Sequence, residues 1–162
     1  EYILIPGDCK ARKNPEKVLQ VIVTNPDLHF VFEETKWKVF LHQRNVLPSN
    51  VSYWDQKQGT IGELYGKALA LCTLSSLEAG PIPVLQALAS GTPVLSTKVG
   101  FVPEIMKEGY GCLVEQDEDI NLISDKLQQV VKLKNQTRGV DLLDGRYSWE
   151  EFGKKLFDFG GE

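Results

Sequence analysis

The 162-residue sequence has no apolar run approaching the roughly 18 residues of a membrane-spanning helix. Its first apolar stretch, Tyr2–Pro6, is too short for a secretory signal, so none is expected. Basic residues are not in excess: 18 Lys and Arg stand against 22 Asp and Glu, for a net charge of −4. That balance argues against a broad nucleic-acid surface. Cysteine is scarce. Cys9, Cys72 and Cys112 are odd in number and not at metal-ligand spacing, which points to a reducing compartment and to Cys72 and Cys112 as small core residues. The acidic run Glu115-Gln116-Asp117-Glu118-Asp119 reads as a solvated turn rather than a metal site. No Gly-x-Gly-x-x-Gly follows the first strand, where the chain reads Gly7-Asp8-Cys9-Lys10, and no Walker-type loop is present. NAD enzymes and P-loop NTPases are disfavoured accordingly. Gly109-Tyr110-Gly111 lacks a third glycine and precedes a strand, not a helix. The clustered acids of a receiver domain are missing too.

What is present alternates. Short continuous apolar runs at 2–6, 28–32, 51–54, 68–74, 92–97 and 111–115 read as buried strands. Between them lie helical segments. Asn14-Pro15 starts one with Pro at its first position and Asn25-Pro26 ends it, with Val18, Leu19, Ile22 and Val23 at helical spacing. Others are expected over 35–43, 60–67, 81–90 (closed by Gly91), 102–107 and 119–133. Ser148-Trp149-Glu150-Glu151 reads as a capping box opening a last helix after a polar connection at 132–146. Alternating strands and helices predict an α/β fold: a doubly wound, Rossmann-like parallel sheet with helices on both faces, in one domain over 1–162. Ligands of such sheets bind at the carboxyl ends of the strands, which directs attention to the loops 7–13, 55–60 and 75–80.

The segment from Ser75 to Val94 carries the most information. A strand ends in a polar loop holding a carboxylate, Glu78, and a helix then begins near Pro81-Ile82 with its amides facing back at the loop. A helix N-terminus suits phosphate, Glu78 suits the hydroxyls of an adjoining sugar, and Gln86, about one turn into the helix, suits a second hydroxylated group. Pro81 and Pro83 have no N–H, which leaves Ile82 as the expected early donor.

This segment resembles the donor-site signature of GT-B glycosyltransferases, the large retaining family of group 1 transferases in which two glutamates are separated by seven residues. Glu78 stands at the first glutamate position and Gln86 at the second, and Pro83, Ala87, Ala89, Gly91, Pro93 and Val94 match. The resemblance extends to Gly7 and Lys13-Asn14-Pro15, to 51–74, to Val99–Glu104, to Gly109–Val114 and to Tyr147–Glu150. It implies the donor-binding, C-terminal half of a transferase that moves a sugar from a UDP-, GDP- or ADP-linked donor. The glycan or lipid acceptor would be held by an N-terminal domain not found in these residues. It further implies Lys13 and Glu78 as catalytic residues. Gly7, Asp8, Trp54, Asp55, Gly80, Pro81, Ile82 and Gln86 complete the donor site. No cofactor and no metal are expected, since no Asp-x-Asp cluster is present. The implied location is cytoplasmic, with any membrane attachment made through the acceptor domain.

The chain departs from the family pattern at three places. Asp8 stands where relatives carry an arginine, Gln86 where they carry the ribose-binding glutamate, and Gly80-Pro81 where they carry an aromatic-Gly pair. Arg12 compensates for Asp8 only if the first loop folds differently. Asp8 and Gln86 keep open a second reading, a degenerate module that binds a nucleotide, a sugar or a partner without transfer. Trp54 reads as core or as a platform for the base. His29 and His42 read as structural, and Trp37 and Trp149 as packing residues.

Overall fold

The computed structural model describes residues 1–55, 57 and 59–134. The helix expected from Ser148, Trp149, the matching segment Tyr147–Glu150 and most of the connection at 132–146 lie outside them. Six strands form one sheet: β1 (Ile3–Ile5), β2 (Phe30–Phe32), β3 (Val51–Tyr53), β4 (Ala70–Thr73), β5 (Val94–Thr97) and β6 (Gly111–Val114). Every adjacent pair is parallel, in the order β3-β2-β1-β4-β5-β6. The order reverses between β1 and β4. That is the switch point of a doubly wound sheet, where the following loops diverge and leave a crevice.

The apolar runs are continuous because both faces of the sheet are covered. In β1, Ile3 and Ile5 face a core built with α1 (Pro15–Thr24), α2 (Lys36–Gln43) and α6 (Ile120–Val131), through side chains such as Ile22, Trp37 and Leu127. Leu4 faces the opposite core, built with α3 (Ile61–Lys67), α4 (Ile82–Ala89) and α5 (Val102–Ile105), through Leu64, Leu88 and Val102. One-residue alternation along a fully buried strand thus serves two cores.

Helix ends explain where the loops begin. Thr60 caps α3 in a complete capping box, accepting from Glu63 N–H while the Glu63 carboxylate accepts from Thr60 N–H. Asn14 does precede α1, with Pro15 in the first turn, but it sits in the left-handed region (φ 52°) and its side chain makes no cap bond. The acidic run at 115–119 is more than a solvated turn. Asp119 caps α6, Glu118 pairs with Lys126 at 2.5 Å, Glu115 pairs with Lys98, and Gln116 reaches the loop after β4.

Candidate functional site

The loop leaving β1 turns at Gly7, whose φ of +69° favours a residue without a Cβ. Two partners from the neighbouring β2–α2 region fix it. Gly7 N–H donates to Glu33 Oε2 at 2.8 Å, and Trp37 Nε1 donates to the Gly7 carbonyl at 3.0 Å. Trp37 is itself held by stacking on Phe32 at 4.6 Å between ring centres. It is therefore a positioning residue as well as the packing residue its sequence context suggests. A 3-10 turn over Ala11–Lys13 follows, and the Lys13 stem passes over Gly7.

That turn delivers two consecutive cations to one carboxylate. Lys13 Nζ lies 2.6 Å from Glu78 Oε1, with both side chains 11% exposed, and Arg12 Nη1 bonds the same oxygen. The two loops meet because β1 and β4 are neighbours at the switch point. Their backbones are joined as well: Ser76 N–H donates to the Arg12 carbonyl at 2.7 Å. Below, Thr97 Oγ1 donates to the carbonyl of the fully buried Ser75 at 2.6 Å, and Gln116 Nε2 donates to the Ser76 carbonyl at 2.8 Å. Burial alone would raise the Glu78 pKa. Hydrogen bonds and charge from Lys13, a hydrogen bond from Ser75 and the charge of Arg12 outweigh it and hold the carboxyl below its usual value.

The loop carrying Glu78 is also shaped from behind. Gly100 (φ +52°) lies so close that a Cβ there would sit 2.4 Å from the Ala79 carbonyl oxygen. Gly80 lies against the Phe101 ring, where a Cβ would come within 3.0 Å. Pro81 (φ −71°, ψ 84°) then makes an inverse γ-turn in which Ile82 N–H donates to the Gly80 carbonyl at 2.8 Å. This corrects the expectation for Ile82. Its amide is closed into the turn rather than open to a phosphate, and its side chain is exposed. Val84 N–H is also used locally, by the Pro81 carbonyl. The start of α4 is poorer in open donors than its sequence suggests, because two prolines remove N–H groups and the turn consumes the next.

The remaining candidates stand apart from this cluster. Asp8 pairs with Lys10 at 3.2 Å. Burial opposes its ionisation, but the bonds and charge from Lys10, with Lys36 beyond, keep its pKa below the usual value. Trp54 packs against the second core and lines a groove at the ends of β2 and β3 with Glu33, Glu34, Tyr53 and Asp55. Asp55 Oδ1 accepts from Lys57 N–H at 2.9 Å. Gln86 is exposed on α4 and borders a pocket of about 190 Å³ shared with Ile61, Gly62 and Tyr65 of α3. That is below the roughly 300–1,000 Å³ of a complete small-molecule site, so it would hold part of a ligand. The Tyr65 hydroxyl is buried with no hydrogen-bond partner among the described residues, and burial, reinforced by the Glu33 charge, pushes its pKa up. The structure thus unites Gly7, Lys13 and Glu78, adds Arg12, Ser75, Ser76, Trp37, Glu33 and Gln116, and places Trp54, Asp55 and Gln86 on separate walls. Among the described residues no group of three His, Cys, Asp or Glu is arranged to hold a metal, and no helix is long and apolar enough to cross a membrane.

Residues 1–140 match the family model described as glycosyl transferases group 1. The chain belongs to that family. The group 1 chain is 29% identical over 76 residues to N-acetyl-alpha-D-glucosaminyl L-malate synthase of Bacillus anthracis, covering 47% of this chain and 20% of the relative. Among solved structures, it superposes on sucrose-phosphate synthase of Thermosynechococcus elongatus with a TM-score of 0.78 at 19% identity, over 98% of this chain and 44% of that one. It also superposes on a TarM mutant of S. aureus in complex with fondaparinux, alpha-GlcNAc-glycerol and UDP, with a TM-score of 0.75 at 17% identity, over 100% of this chain and 36% of that one. These likenesses establish the GT-B type of fold for the group 1 domain, which spans less than half the length of each of these relatives.

Proposed function

We propose that this group 1 domain binds the donor of a retaining, metal-independent glycosyltransferase that takes its sugar from a nucleoside diphosphate. The observation that carries the reading is the convergence of Lys13, Arg12 and Glu78 between the carboxyl ends of β1 and β4, the crevice where doubly wound sheets receive ligands. Cations held there before the donor arrives stabilise the charge that grows on the departing diphosphate, a term that typically dominates such chemistry. They also fill the role a metal plays in other transferases. Lys13 is the less exposed of the two and takes the catalytic part. Glu78 positions the sugar through its hydroxyls. Gln86, able to accept one hydrogen bond and donate two, faces the ribose from the pocket beside Tyr65.

Transfer needs an acceptor held opposite this crevice. The longer relatives, one of them named for sucrose-phosphate synthesis and another solved with UDP, support a second domain in the complete enzyme. The acceptor class, glycan or lipid, follows from that domain, and the 162-residue chain alone is expected to transfer no sugar. Titration calorimetry with UDP, GDP and ADP tests the donor reading. Binding in the range of about 0.1–1 mM, or roughly −5 kcal/mol, is expected because these residues supply one wall of the proposed site.

Asp8 and Gln86 favour a second reading, a module that keeps the nucleotide fold without turnover. Measurable heat with a diphosphate but no transfer by a two-domain polypeptide carrying this domain selects it. Transfer by that polypeptide rules it out.

A further inference from the structure

Asp8 stands where the diphosphate would need a cation, yet its carboxylate is not left without a counter-charge. Lys10 neutralises it at 3.2 Å, and Lys36 adds positive charge nearby. The loop supplies another cation in exchange. Arg12 Nη1 bonds Glu78 Oε1, the same atom that Lys13 holds, so both cations wait on one carboxylate oxygen. Their exposure differs. The Lys13 side chain is 11% exposed, whereas that of Arg12 is 43% exposed. The Arg12 backbone does not share this freedom, because its carbonyl accepts from both Ser76 N–H at 2.7 Å and Ser76 Oγ at 3.2 Å. A guanidinium has five N–H donors in a planar fork, and among the described residues Arg12 uses only Nη1. An exposed, forked cation on an anchored backbone suits a planar pair of anionic oxygens better than the single oxygen it now holds.

We infer that Arg12 is the second cation of the diphosphate site and reaches the phosphates by leaving Glu78, whose carboxylate it bonds here. This rests on the donor reading above and extends it to a residue that the family signature does not mark. The exchange has a direction. Diphosphate oxygens bring more negative charge than one carboxylate and draw Arg12 away, while Lys13 stays between the two anions. Release of Arg12 leaves the Glu78 carboxylate with fewer donors and turns it toward sugar hydroxyls. Glu78 therefore competes with a bare diphosphate and cooperates with a sugar-linked one.

Binding of inorganic pyrophosphate, UDP, GDP and ADP at low salt, to the parent chain and to Arg12→Gln, Arg12→Lys, Lys13→Ala and Glu78→Gln, tests this. Arg12→Gln should weaken pyrophosphate and all three nucleotides alike, by about tenfold. Arg12→Lys, which keeps the charge and loses the fork, should weaken them by about threefold. Glu78→Gln should tighten pyrophosphate binding. If Arg12→Gln binds like the parent while Lys13→Ala binds more weakly, the role of Arg12 is overturned and the donor reading stands. The role of Arg12 is equally overturned if Arg12→Gln loses affinity for one nucleotide but none for pyrophosphate. If the parent chain binds none of the four, both are overturned. Should Arg12→Gln fail to fold, parent-like affinity in Arg12→Lys together with unchanged pyrophosphate affinity in Glu78→Gln overturns the inference.

Discussion

Lys13 and Glu78 form a nearly enclosed ion pair, with Nζ 2.6 Å from Oε1 and only 11% of either side chain exposed. The pair exists because β1 and β4 are neighbours, so the loops that follow them cross the same crevice. Taking two charges this far out of water is costly, and their attraction offsets the cost only with good geometry and added hydrogen bonds. Here Arg12 supplies a further bond to the carboxylate, and Ser75 also favours its ionised form. Such an arrangement does little for stability and suits the charged ligand proposed above.

Lys13→Ala should weaken nucleoside-diphosphate binding by about 1–2 kcal/mol, through loss of a charge-assisted contact. It should also lower stability by about 1–3 kcal/mol, because Glu78 keeps its burial and loses its less exposed partner. Calorimetric titration and urea unfolding of the same sample separate the two effects. Unchanged affinity with reduced stability would make Lys13 structural only.

The acid limb of the stability curve should depend on Glu78. Its pKa lies below the ordinary 4.5 in the folded chain, so the folded state favours its ionised form. A group of this kind stabilises the fold above its unfolded pKa and loses that contribution as the pH falls through its folded pKa. Glu78→Gln should accordingly flatten the fall in stability below about pH 4.5, measured by urea midpoints from pH 7 downward. A parallel acid limb in parent and variant would contradict it.

Gly100→Ala should damage the site without touching it. A Cβ at Gly100 would stand 2.4 Å from the Ala79 carbonyl oxygen, on a residue with φ +52°. The 78–80 loop must move or Gly100 must change conformation. A stability loss of about 1–3 kcal/mol is expected, with weaker diphosphate binding in the fraction that folds. Parent-like affinity would mean that Glu78 tolerates movement of its loop.

Asp8→Arg should tighten diphosphate binding by about two- to fivefold at low salt. Lys10 already neutralises Asp8, so the gain comes mainly from the added cation, which is partly screened by solvent. Salt titration checks this, since the gain should fade as ionic strength rises.

Thr60→Ala removes the side-chain half of the capping box at the start of α3 and frees Glu63 N–H. Thermal unfolding should show a loss of about 1 kcal/mol, typical of an N-cap, with no change in ligand binding. A change in affinity would tie the α3 start to the nucleotide.

The elements of this fold were legible along the chain because their causes are local. Continuous apolar runs such as Ile3-Leu4-Ile5 mark strands covered on both faces, and Thr60 with Glu63, or Pro15 after Asn14, marks helix starts. Glu78 and Lys13 were singled out for a different reason, a residue pattern that resembles a family signature, and the structure brings the two side chains together. Other features depend on which strands become neighbours. Arg12 joins Lys13 at Glu78 only because β4 lies beside β1, and Trp37 and Glu33 hold Gly7 only because β2 lies on its other side. The Ile82 amide looked open in sequence and is closed, because the backbone at Pro81 takes up a γ-turn that residue types alone do not dictate. Local periodicity determines which segments are strands and helices. The placement of charges from distant segments around one carboxylate is decided by strand order and loop conformation, and these are properties of the packed chain.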